Sequence, residues 1–123
     1  MHSDAGLVMR VRDRLARTPG VTARVMFGSA VFFLDGNLAA GVWHDDLIVR
    51  LGKDAAAAAL AEPHVRPFDV TGRPMAAWVM VEPDGIDTDA QLAGWLDRAL
   101  AFAGSLPPKP VKPPGRRGRR RRP

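Results

Sequence analysis

Two apolar runs, residues 30–34 (AVFFL) and 38–43 (LAAGVW), are separated by Asp35, Gly36 and Asn37. This arrangement restricts the chain more than any other stretch. Asp-Gly between apolar runs is hairpin chemistry, because glycine accepts the positive φ that a tight turn requires. A second polar turn, His44-Asp45-Asp46, precedes another apolar run at 47–51 (LIVRL). Upstream, residues 21–27 are rich in β-branched and large apolar side chains, followed by Gly28 and Ser29. Three or four consecutive antiparallel strands are therefore predicted. Gly28 marks a bulge or a close backbone approach within that region.

Helices are predicted around this meander. Leu7, Val8, Val11 and Leu15 recur at helical spacing over residues 4–17, with Asp4 at the start and Thr18-Pro19-Gly20 as the stop. A second helix spans 55–61, with Asp54 as N-cap and a five-alanine run that has little to pack. Pro63 ends it. Strands at 65–70 and 75–81 follow, and Pro67 makes the first of them an edge or irregular strand. Thr88 and Gln91 have capping-box spacing for a last helix, with a stripe of Leu92, Trp95, Leu96, Ala99, Phe102 and Ala103 and a stop at Gly104. The predicted fold class is α+β: an antiparallel sheet of about five to six strands with flanking helices, in the order α-β(3-4)-α-β(2)-α.

Charge divides the 123 residues in two. Of 18 basic residues, eight lie from Lys109 onward, where there is no acid. The ten that remain face 13 acids, so a mildly acidic body of net −3 carries a +8 tail. Residues 1–106 are read as one domain and residues 107–123 as a disordered Pro/Arg-rich tail, since the tail cannot bury enough apolar surface to offset its ordering entropy. Its proline segment is expected to be an extended spacer.

Few constellations carry chemistry. The chain has no cysteine, which excludes disulfides, thiolate metal sites and cysteine nucleophiles. His44 beside Asp45 and Asp46 reads as a solvated turn, because three adjacent residues cannot easily converge on one ion. His2 falls in a frayed terminus and His64 in a surface loop. Ser29 lacks the second glycine of a nucleophile elbow, and no phosphate-binding glycine loop occurs. Glu82 and Asp84 read as turn and helix-entry charges. Trp43, Trp78 and Trp95 lie in apolar runs and read as core. No catalytic residue, cofactor or metal is assigned, and the protein is read as non-enzymatic.

The tail is the exception. Lys109, Lys112, Arg116, Arg117, Arg119, Arg120, Arg121 and Arg122 form a concentrated phosphate-binding element without a base-reading scaffold. DNA or RNA is the expected partner, bound without sequence preference. The alternative is a solubilising tail, or one that meets an acidic protein. The body is left to bind a protein partner or a second copy of itself. No window approaches the roughly 20 apolar residues of a membrane span, and the charged N-terminus does not resemble a signal peptide, so a cytoplasmic location is expected.

The body resembles the N-terminal domain of the TfoX/Sxy family, bacterial proteins associated with regulation of competence. The resemblance rests on Val25-Met26-Phe27-Gly28, Leu34-Asp35-Gly36 and the 47–51 run followed by a helix. Further on it includes Gly72-Arg73-Pro74-Met75, Ala77-Trp78, Val81-Glu82-Pro83 and residues 92–103. It implies an α+β domain and no established catalytic residue. The family's full-length regulators carry a second, helical C-terminal domain, in whose place this chain has the arginine-rich tail.

Overall fold

The computed structural model describes residues 5–26, 29–69 and 75–108. In chain order they form α1 (Ala5–Leu15), β1 (Val21–Met26), β2 (Ser29–Leu34), β3 (Asn37–Trp43) and β4 (Asp46–Arg50). After these come α2 (Lys53–Ala59), β5 (Val65–Pro67), β6 (Trp78–Val81), a 3-10 turn (Pro83–Gly85) and α3 (Asp89–Gly104). The six strands make one antiparallel sheet in the order β1-β2-β3-β4-β6-β5. The predicted α+β class and element order are therefore present.

The turn that anchors this sheet is the predicted one. Leu34 pairs with Asn37, and both Asp35 (φ 51°) and Gly36 (φ 84°) occupy the left-handed region. That is the two-residue hairpin turn whose twist matches its strands. The following turn is also a two-residue one, with Trp43 paired to Asp46, but of its central residues only His44 (φ 56°) is in the left-handed region. A register shift at Phe32/Phe33 leaves Ala39 as an extra residue on β3, because Phe32 pairs with Ala40 and Phe33 with Leu38. The bulge expected at Gly28 lies outside the described residues.

Strand alternation sorts the side chains into two faces. Phe32, Ala40, Val42, Leu47, Val49, Val79 and Val81 face the helices and pack with Leu7, Val11 and Leu15 of α1, Ala56 and Ala59 of α2, and Leu92, Trp95, Leu96 and Ala99 of α3. The other face carries a row across all six strands, Arg24–Val31–Gly41–Ile48–Met80–Arg66. Trp95 is core as predicted. Trp43 and Trp78 are not: both are half-buried on this second face, because each lies out of phase with the core-facing residues of its strand.

Several element boundaries differ from expectation, among them the end of the second helix, at Ala59 rather than residue 61. The first helix stops at Leu15, and the chain to Thr18 continues as a turn. Helix α2 begins at Lys53, with Gly52 rather than Asp54 as N-cap, so Asp54 sits within the first turn. The reason is the Leu51 and Gly52 amides, which both donate to the Ala77 carbonyl (2.9 and 3.2 Å) and pin the chain beside β6. Only glycine suits the reversal: Gly52 has φ 88°, and a Cβ there would meet the Phe102 ring at 2.7 Å. β5 ends at Pro67, and Met75 to Ala77 form a turn closed by the Trp78 amide on the Met75 carbonyl. The Thr88–Gln91 capping box is present in both directions.

Candidate nucleic-acid interface

Helix α3 delivers the chain to the point where the basic segment begins. Its buried stripe ends at Ala103, and the Ser105 hydroxyl and Leu106 amide donate back to the Phe102 and Ala103 carbonyls. The next contact is remote in sequence. The Asn37 side-chain amide, 1% exposed, donates to the Pro107 carbonyl at 2.9 Å. The residue that completes the Asp-Gly turn therefore also fastens the last described segment to the β2–β3 hairpin. Nothing in the sequence pairs Asn37 with Pro107; a polar residue opening an apolar strand was the one available sign.

Asn37→Ala removes that donor and leaves a carbonyl without its partner. Because Pro107 is exposed and water can reach its carbonyl, the substitution is expected to cost about 0.5–1.5 kcal/mol in denaturant unfolding. Affinity for nucleic acid should be unchanged, because the basic residues themselves are untouched.

Lys109, Lys112, Arg116, Arg117, Arg119, Arg120, Arg121 and Arg122 all lie outside the described residues. The body's own arginines are largely engaged. Arg10 meets Asp89, Arg14 meets Asp97, Arg98 meets Glu62, and Arg66 bridges Asp46 and Glu82. Arg24 lies over the Phe33 ring, while Arg50 lies near both Trp78 and Phe102 and donates to the Leu38 carbonyl beside the bulge.

Asp46 is the buried acid among the described residues. Burial pushes its carboxyl above the ordinary value, and Arg66, which hydrogen-bonds to it, opposes the shift without cancelling it. Asp45 and Glu82 push it up further. A raised native pKa means that the folded state holds its proton more tightly than the unfolded chain. This contribution favours folding at low pH and is lost as pH rises through the native value. The stability of wild type minus that of Asp46→Asn should therefore fall as pH rises from about 4. A rising difference in urea titrations would show that attraction to Arg66 outweighs burial.

Other sequence candidates are dispersed. His44 packs edge-on against Trp43, and His64 is exposed in the loop before β5. Glu82 ends β6 in the ion pair with Arg66, while Asp84 lies in the 3-10 turn. Among the described residues no group of three His, Asp or Glu side chains could hold a metal ion. A groove of about 540 Å³ runs between α2 and α3. Leu51, Ala55, Ala58 and Phe102 line it, with the Arg98–Glu62 pair also present. Apart from that ion pair, the lining residues offer apolar contact. No helix among the described residues is long and apolar enough to cross a membrane.

Three helices against one face of an antiparallel sheet, with a hairpin-anchored helix leading into a basic segment, define an α+β module. Comparison with protein families gives the class a name. The TfoX N-terminal domain matches residues 13–103, and the chain belongs to that family. No curated protein matches it.

Proposed function

We propose that this TfoX N-terminal-domain protein is a non-enzymatic, cytoplasmic regulatory or accessory factor whose arginine-rich tail binds DNA or RNA without sequence preference. The division of charge carries this reading: eight basic residues and no acid follow Pro108, on a body of net −3. Guanidinium groups engage phosphate bidentately, and displaced counterions drive association. The body adds little to such a surface, since most of its arginines are held by carboxylates or rings.

The test is fluorescence anisotropy of a DNA duplex and an RNA strand, titrated with the full chain and with a variant carrying glutamine at all six tail arginines. Binding confined to the wild-type tail, and weakened steeply by salt, is the expected result. Equal binding by both proteins would place the interface on the body. Absence of binding at physiological salt would favour a protein-interaction domain with a solubilising or acidic-partner-binding tail. Recovery of a stoichiometric protein complex that survives nuclease and high salt would point the same way.

A further inference from the structure

The two edges of the sheet are built differently. At one edge, the Glu82 amide donates to the His64 carbonyl at 2.8 Å. That bond sets the ladder phase, so the outward-facing backbone groups of β5 belong to Val65 and Pro67. Pro67 has no amide hydrogen, and the strand is three residues long. Both features discourage an incoming strand.

β1, at the other edge, has six residues, VTARVM, with no proline, lysine or carboxylate. No described strand pairs with its outer side. Val25 within it is 76% exposed, more than Met9, Leu60 or Met75. Arg24 is the one charged residue of this edge, and a β-branched side chain so open beside an unpaired strand is a surface that a further strand would cover.

We propose that β1 docks a second copy of this chain, the two β1 strands pairing antiparallel about a two-fold axis at Ala23 and joining two six-stranded sheets into one. Backbone phase and side-chain charge lead to the same register. The Asp35 amide donates to the Gly20 carbonyl at 2.9 Å, so Gly20, Thr22 and Arg24 direct their backbone groups toward β2. Val21, Ala23 and Val25 then direct theirs outward. A two-fold pairing must set outward residues opposite one another; axes at Thr22, Ala23, Arg24 or Val25 do so, but those at Thr22 and Val25 pair only three of the six strand residues. An axis at Arg24 opposes two guanidinium groups, which is destabilising. An axis at Thr22 leaves Val25 without a partner inside the strand. The axis at Ala23 sets Val21 against Val25 of the second copy twice, covering the exposed valine. It also sets Arg24 against Thr22, so that the two guanidinium groups are diagonal to one another rather than directly opposed. Ala23, the smallest side chain in the strand, falls where the two copies approach most directly.

The proposal is independent of the nucleic-acid reading, although a dimer would carry two basic tails and bind phosphate backbones with the avidity of two sites. Its test uses nuclease-treated full-length protein, with no nucleic acid present, in sedimentation velocity over a wide concentration range. Wild type should pass from monomer to dimer as concentration rises. Ala23→Glu and Ala23→Lys each place like charges across the axis, and each should weaken self-association about a hundredfold. An equimolar mixture of the two should restore the dimer by pairing opposite charges. Val25→Lys, at an exposed position, should also weaken the dimer, and wild-type unfolding midpoints would show that the variants are folded. Wild type sedimenting as a monomer throughout overturns the proposal while leaving the tail reading intact. Variants that dimerise as tightly as wild type overturn it as well, because the interface then lies elsewhere.

Discussion

Replacing Phe32 with alanine is expected to destabilise the fold by about 3–5 kcal/mol, the usual cost of truncating a fully buried phenylalanine. Phe32 is 2% exposed and stands on the helix side of β2, opposite Ala40, where the ladder shifts register. Its neighbours cannot easily close the space. Ala40 is too small, and the valines of β3, β4 and β6 are each 0% exposed and held by strand pairing. A small domain has roughly 5–15 kcal/mol of stability in total, so the variant should be marginal at room temperature. The comparison is Phe33→Ala, one residue along and half-buried on the second face beneath Arg24. It should cost distinctly less in the same urea titration. Equal costs would contradict the assignment of faces, since a core phenylalanine loses both transfer energy and packing whereas Phe33 loses part of each.

That contrast shows where the sequence was informative and where it was not. Asp35-Gly36 and Thr88–Gln91 were legible because each acts within four residues, through a turn or cap that local chemistry specifies. The stripe from Leu92 to Ala103 was legible because it repeats at helical spacing. Trp43 and Trp78 were misplaced for a related reason. Both lie in runs that are apolar on both faces, so alternation gives no sign of which side meets the helices. Gly52 was passed over for Asp54 because the cap depends on Ala77 and Phe102, which lie 25 and 50 positions away. Asn37 with Pro107, and Arg66 with Asp46 and Glu82, belong to the same class: remote polar pairs that only the finished sheet brings together. The basic tail was visible from composition alone, and its expected action depends on charge rather than fold.

The tail should accordingly behave as a count of charges. If its eight cations each neutralise one phosphate, log affinity for duplex DNA falls against log salt with a slope of about −7. That slope corresponds to a loss of about ten-thousandfold between 50 and 200 mM salt. Replacing any three arginines with glutamine should reduce the slope to about −4.5. The choice of three should not matter: Arg116, Arg117 and Arg119 together should count the same as Arg120, Arg121 and Arg122. This equivalence separates counterion release from recognition. A folded reader of bases depends on particular side chains at particular positions, so equal numbers of removed charges would have unequal effects, and one DNA sequence would be preferred over another. Parallel salt titrations of the two triple variants on two unrelated duplexes decide between them. Equal slopes on both duplexes are expected, whereas divergent slopes would mean that the tail adopts a defined structure on nucleic acid. An unchanged slope in both variants would move the binding site from the tail to the body.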